Sequence, residues 1–486
     1  MITALEQVSR TLAFDLPAGA IVSDEAGRRP YETDGLTALR CLPGLVVLPT
    51  TPTDVQRVLK TCAAAGVPVV PRGAGTGLSG GALPHADGVL VSLSRMTEIL
   101  EIDPDGGFAR VQPGVRNLAI SEAAAPFGMY YAPDPSSQIA CSIGGNVAEN
   151  SGGVHCLKYG LTVHNILGLK GFTMDGEPLE VGGATLDSPG YDLLAVLCGS
   201  EGMLAVVTEI TVRLLPQPVS KRVLLTAFPE VVDACRAVSA VIASGIVPAG
   251  LELMDRAATV AVEAFIHAGY PTDAEAMLLC EIDGEPAVVA DDSARVEAIF
   301  REHNGYDLRQ AEGAEEQAKL WAGRKAAFPA LGRIAPDYYC MDGTIPRAEL
   351  AAVLTRIREL SAEFSLEVAN VFHAGDGNLH PLILYDANAP GEMERAEALG
   401  AAILRACVDA GGTVTGEHGV GTEKLAGMCH QFPGPALEQF HRLKAAFDPS
   451  GLLNPGKGIP TLSRCSEVGG MHVHGGKLPY AGIPRF

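Results

Sequence analysis

The segment Pro71-Arg-Gly-Ala-Gly-Thr-Gly-Leu-Ser-Gly-Gly81 constrains this chain more than any other, because five glycines in eleven residues specify a backbone rather than a packed side-chain face. Glycine reaches positive φ without a Cβ penalty, so successive N–H groups can turn towards one point and cradle an anion. Gly75-Thr-Gly-Leu-Ser-Gly80 also satisfies GxGxxG, a pattern that in dinucleotide-binding folds opens directly into a helix. Here Gly80, Gly81 and Pro84 lead instead to Gly88-Val-Leu-Val-Ser-Leu93, a β-rich run. The loop joins strand to strand, which removes the Rossmann reading.

Its surroundings have the texture of an α+β domain. Short strands such as Val67–Val70, Gly88–Leu93 and Ala205–Leu214 alternate with glycine-rich turns between about Val46 and Leu215. Thr53–Gly66 is expected to be helical, with Val55, Val58, Leu59 and Cys62 on one face and Gly66 past its end. Pro216-Gln-Pro218 interrupts strand continuation and marks a boundary. Beyond it, helices over 230–244, 287–303 and 350–364 interleave with strands over 276–282 and 366–372, and helices over 391–410 and 436–447 follow. The expected organisation is an N-terminal helical segment over 1–41, a first domain over 42–217, a second α+β domain over 218–460 and a tail over 461–486.

The 486 residues suffice for two or three cores, and a formal charge of −21 disfavours nucleic acid and anionic lipid as partners. No run of about 18 apolar residues is present, and Glu6 precedes any apolar stretch, so a cytoplasmic protein with neither span nor secretory signal is expected. The eleven cysteines are scattered, with no CxxC spacing and no iron–sulfur pattern.

Two further regions carry chemistry. Pro133-Asp-Pro-Ser-Ser-Gln and Ser142-Ile-Gly-Gly-Asn-Val-Ala-Glu-Asn-Ser-Gly-Gly153 offer hydroxyls and amides among glycines, suited to a flavin ring and its ribityl chain, and Gly199-Ser-Glu-Gly202 is a third glycine cluster. His373-Ala-Gly-Asp-Gly-Asn-Leu-His380 joins two apolar runs by a tight turn. Closed symmetrically, such a hairpin makes the two imidazoles neighbours. Glu417 and His418 stand in another glycine-rich turn, so two histidines and a carboxylate form a set common around divalent metals. Taken alone, these residues suit a metal-dependent hydrolase as well as an oxidoreductase.

Together the Pro71–Gly81 loop, Ser142–Gly153, Lys158-Tyr-Gly-Leu-Thr-Val-His-Asn165 and Gly199–Gly202 resemble the FAD-binding domain of the vanillyl-alcohol-oxidase type flavoproteins, and most closely their D-2-hydroxy-acid dehydrogenase branch. The resemblance implies a PCMH-type FAD-binding domain, an α+β substrate (cap) domain and C-terminal helices. It places Gly73, Gly75, Thr76 and Gly77 at the pyrophosphate, with Arg72 and Ala74 among the cofactor-binding residues of the same loop, and Pro133, Ser142, Gly144, Gly145 and Asn146 along the flavin. Members with covalent flavin have histidine at the place of Thr76, so non-covalent FAD is implied. Asn454-Pro-Gly-Lys457 resembles a terminal signature that brings Lys457 near the cofactor. The resemblance further implies that His373, His380 and Glu417 bind a divalent metal (zinc, manganese or iron), that His418 takes the substrate hydroxyl proton, and that Arg324 binds the substrate carboxylate.

Leu320–Pro329 and Pro336–Pro346 are most similar to the FAD subunits of the bacterial glycolate oxidases, also called glycolate dehydrogenases. Relatives acting on D-2-hydroxyglutarate have a lysine near the place of Cys340, so a second substrate carboxylate is disfavoured and a short hydroxy acid is implied, glycolate first and D-lactate beside it. A single methyl discriminates by only about 1–3 kcal/mol. The implied partners are a second flavin-type subunit and an iron–sulfur subunit, through which any contact with the inner membrane would be made.

Overall fold

The computed structural model describes residues 3–185 and 190–461. They divide into two compact units: the first takes the chain up to Gly152, from Leu161 to Pro216 and from Glu417 onward, and the second takes Gly153–Gly160 and Gln217–Gly416.

The two larger sheets of the first unit carry its core. In one, the strands Ile21–Val22, Leu45–Val47, Val89–Ser92 and Val69–Arg72 lie in that order, and Val89–Ser92 runs parallel to both its neighbours, Leu45–Val47 and Val69–Arg72. The glycine-rich loop is thus the connection between two parallel neighbours, made without a helix. The helix Pro52–Ala65 covers this sheet with Val55, Val58, Leu59 and Cys62, all buried beside Val47, Val69 and Val91. Its ends are set locally. Thr51 Oγ1 accepts from Asp54 N–H (3.2 Å), Asp54 returns the bond, Pro52 opens the first turn, and Gly66 closes the helix at φ 65°. The other sheet is antiparallel, in the order Ile99–Asp103, Phe108–Val111, Val206–Arg213, Ile166–Phe172, Pro178–Gly182. Ile143 and Val147 of the helix Ile143–Glu149 are buried with Ile210 and Val212 of that sheet, each burial contributing about 1.5–3 kcal/mol.

The second unit is built on an extended sheet in which Tyr306–Ala311, Ser220–Phe228, Ala276–Gly284, Gly250–Asp255 and Val368–His373 are successive antiparallel neighbours. Phe228 and Phe300 of the helix Pro286–Glu302 meet edge to face, 5.9 Å apart, and both are fully buried.

The chain path differs from the expected block over 218–460 in two places. From Glu417 it rejoins the first unit, where Leu453 is buried in the core beside Val69 and Phe447 packs on the antiparallel sheet. Conversely, Gly153–Gly160 belongs to the second unit, where Lys158 and Tyr159 both bond Asp283 and His155 bonds Glu281. Buried carboxylates attract that octapeptide, a long-range cause without local sequence signal. The expected tail lies, from residue 462, outside the described residues.

Candidate active site

In the first unit the loop after Val69–Arg72 is held by contacts that explain its glycines. Ser142 Oγ accepts from Ala74 N–H (3.2 Å) and from Gly145 N–H (3.4 Å), and a Cβ on Gly73 would stand 2.3 Å from that oxygen. Gly75 adopts φ 74°, and a Cβ there would meet the Arg72 guanidinium at 2.1 Å. Arg72 is buried, donates to Thr33 O (2.7 Å) and stacks near Tyr31, and burial lowers its basicity. It braces the loop from the Thr33 side. Thr76 and Gly77 are half-buried, with their carbonyls against Gly35, and Ala74 is exposed.

Ser142–Gly153, expected as a glycine cluster, begins as a helix. Ser142 caps Ile143–Glu149, and Gly144 N–H donates to Pro113 O (2.8 Å) where a Cβ would clash with Pro113 at 2.6 Å. Asn117, which sequence reasoning missed, ties the region together: its Nδ2 donates to Pro133 O and to Asn146 Oδ1, both at 3.0 Å. A cavity of about 360 Å³ lies beside these elements, lined by Ala74, Ser94, Val115, Arg116 and Ser142 among others. Glycines that admit close backbone approach, a polar helix start and an adjoining cavity fit a dinucleotide.

The returning segment closes over the same loop. Thr422 and Glu423 N–H groups both donate to Ser79 O (3.0 and 3.1 Å), and Gly421 sits so near that a Cβ would meet this oxygen at 2.1 Å. The turn bearing Glu417 and His418 is thereby joined to the glycine-rich loop within one unit. Glu417 is buried and His418 half-buried. Glu201 anchors the turn from the far side, accepting from Val420 N–H (2.8 Å) and Gly421 N–H (2.7 Å), while burial raises its pKa against those bonds and the nearby Lys424 and Lys457. Asn454 Nδ2 donates to Gly81 O (3.0 Å) and Glu201 O (2.6 Å), and Lys457 Nζ donates to Leu83 O (2.9 Å). Lys457 is not a solvated surface lysine: burial brings its pKa down to about 8.

In the second unit the hairpin closes with His373 opposite Asn378, and Asn370 opposite Pro381. His373 and His380 are therefore diagonal rather than facing neighbours, and their rings still meet edge to face at 5.1 Å. His380 Nδ1 faces Met341 O (3.3 Å), a group that only accepts, so Nδ1 carries the proton and Nε2 is the basic nitrogen. His373 Nδ1 faces Glu252 Oε1 at 2.7 Å with the same consequence. The ligand nitrogens of the two histidines lie within 4.8 Å of each other, and Cys340 Sγ lies within 4.8 Å of that of His380. This donor set fits a divalent transition metal. Glu252 was not singled out from the sequence. It is 1% exposed, directly opposite His373 across the sheet, and its second oxygen accepts from Arg324 Nε at 2.8 Å. Burial alone would raise its pKa, but His373 and Arg324 together hold it below the ordinary range. Arg324, on the helix Ala314–Leu331, is buried rather than exposed on a surface helix face. Glu417 itself follows Gly416, whose N–H donates to Asp342 O (2.9 Å).

Comparison with known proteins gives concordant results. Residues 43–182 match the FAD binding domain family and residues 217–458 match the family of FAD linked oxidases, C-terminal domain. The chain is 59% identical over 488 aligned positions to the glycolate oxidase subunit GlcD of Escherichia coli (strain K12), covering 99% of this chain and 98% of that protein. It is 35% identical to the D-lactate dehydrogenase of Archaeoglobus fulgidus, covering 89% of this chain and 95% of the relative. The crystal structure of p-cresol methylhydroxylase with substrate bound superposes with a TM-score of 0.80 at 16% identity, covering 95% of this chain and 98% of that one, which shows the shared fold. No described helix is long and apolar enough to cross a membrane.

Proposed function

The chain belongs to the FAD-linked oxidase family and is an FAD-dependent oxidoreductase, and from that premise we propose that it oxidises glycolate to glyoxylate, with D-lactate as a second substrate. The observation that carries this reading is the buried row Arg324, Glu252, His373, His380: a guanidinium suited to a carboxylate stands one residue away from two imidazoles that present Nε2. A 2-hydroxy acid needs both kinds of group, one for each end.

Gly73, Ala74, Gly75, Thr76 and Gly77 approach the FAD pyrophosphate through backbone, with Arg72 bracing them, and Pro133, Ser142, Gly144, Gly145, Asn146 and Lys457 frame the rest of the cofactor. Thr76 has no ring nitrogen to tether the flavin, so FAD is held non-covalently. His373, His380 and Glu417 hold a divalent ion. When bound, FAD supplies the hydride acceptor at N5 and the ion supplies a Lewis acid for the 2-hydroxyl. Arg324 fixes the substrate carboxylate, and His418 takes the hydroxyl proton on a ring nitrogen. Cys340, beside His380, offers no ammonium group to a second carboxylate, which suits a substrate with one carboxylate. The electrons pass on to a second flavin-type subunit and an iron–sulfur subunit, and the protein resides in the cytoplasm, meeting the inner membrane through them. Support for this assembly is the similarity to a protein named as a subunit.

The test is an anaerobic titration of the yellow, FAD-loaded protein with glycolate, D-lactate and D-2-hydroxyglutarate. Glycolate and D-lactate should bleach the flavin absorbance and D-2-hydroxyglutarate should not. Full FAD occupancy with no bleaching by glycolate would refute the assignment. A hydrolase using the same histidines and glutamate loses its basis, since residues 43–182 match an FAD-binding domain.

A further inference from the structure

Glu252 offers one carboxylate to two groups that must both donate. Arginine has no acceptor, so Arg324 Nε–H donates to Oε2 at 2.8 Å, and an ionised carboxylate has no proton to give, so His373 Nδ1–H donates to Oε1 at 2.7 Å. The strand Gly250–Asp255 holds Glu252 directly across from His373, and side-chain exposure is 1% for Glu252, 4% for Arg324 and 5% for His373, so water cannot substitute for either bond. We propose that Glu252 is a positioning residue that sets the tautomer of His373, making Nε2 its ligating nitrogen, and at the same time fixes the guanidinium plane of Arg324. This rests on the reading of His373 as a metal ligand and Arg324 as the carboxylate-binding group. One side chain then sets where the substrate's hydroxyl end and its carboxylate end are received.

An amide at this position has one acceptor and one donor, which separates the two roles. In Glu252→Gln, Arg324 can only take the amide oxygen, so the amide NH2 faces His373 Nδ1 and drives the ring proton to Nε2. Zinc affinity of the FAD-loaded full chain, measured by competition with a chromogenic chelator after metal removal, should fall about 10- to 100-fold, the usual effect of losing such a partner. FAD content should stay at the wild-type level, and KM for glycolate should change less than zinc affinity, because Arg324 keeps its acceptor. Since Glu252→Gln leaves the buried guanidinium of Arg324 without its counter-charge and can fold poorly, the same question is put in an Arg324→Met background, where that position carries no charge. There Glu252→Gln frees the amide oxygen for His373 Nδ1–H and should recover most of the zinc affinity, whereas Glu252→Leu, similar in size, should not. Both double variants should keep a raised KM for glycolate.

Equal zinc affinity in the Gln and Leu double variants would overturn the proposal. So would wild-type zinc affinity in Glu252→Gln alongside loss of zinc in His373→Ala. Unaltered zinc binding by His373→Ala would instead sink the metal reading itself, and the two failures are thereby told apart.

Discussion

Replacing Gly75 by alanine tests whether the glycine-rich loop works through its backbone. Gly75 holds φ 74°, and a Cβ would come within 2.1, 2.4 and 2.7 Å of Nη2, Cζ and Nε of Arg72. The left-handed conformation costs an L residue roughly 1–2 kcal/mol. Displacing the guanidinium also weakens its 2.7 Å bond to Thr33 O, a charged hydrogen bond worth about 1.5–3 kcal/mol. Without cofactor the loop can relax to relieve both, and binding must restore the native path, so the penalty of about 3 kcal/mol falls mainly on FAD affinity. That is roughly a hundredfold rise in Kd. The assay is titration of apo-protein with FAD, followed by quenching of flavin fluorescence. Gly66→Ala is the control, because φ is 65° there too but nothing lies within 4 Å of the added Cβ; it should lower stability and leave FAD affinity unchanged. Arg72→Ala combined with Gly75→Ala should lose less affinity than the sum of the single changes, since one removes the obstacle met by the other. Wild-type affinity in Gly75→Ala, or strict additivity in the pair, would refute the reasoning.

Three other outcomes are expected. His418→Ala should keep its FAD and lose anaerobic bleaching by glycolate; reduction at the wild-type rate would remove His418 as the base. Lys457 has a folded-state pKa of about 8 against about 10.4 in an unfolded chain, so the folded protein binds fewer protons in that window and Lys457's contribution to stability rises with pH from about 8 to about 10.4. Urea midpoints of apo-protein and of Lys457→Met, compared from pH 7.5 to 10, should show the wild type gaining on the variant, and parallel profiles would contradict the burial argument. Phe300→Ala removes the edge-to-face partner of Phe228 and should destabilise the second unit by about 3–5 kcal/mol. Trp321, the single tryptophan, lies in that unit and reports its unfolding by fluorescence, where an unchanged denaturant midpoint would count against the packing account.

What the chain's residues decided alone are the features whose causes lie within a few positions of each other. Thr51, Pro52, Asp54 and Gly66 delimit a helix by capping, the Pro71–Gly81 run specifies a turn with positive φ at Gly75 and Gly80, and the strand after it removes the Rossmann alternative. Ser142 as a helix cap was equally local, but its glycines obscured the short helix behind it. The tertiary structure decided what depends on contacts between distant residues. It returned the chain to the first unit at Glu417, where Gly421 and Thr422 meet Ser79, and drew Gly153–Gly160 into the second towards Asp283 and Glu281. It also made Glu252 the common partner of Arg324 and His373, residues 72 and 121 positions away. In sequence, Glu252 is one carboxylate among 57 acidic residues. A buried charge is distinguished only by the partners that folding brings to it.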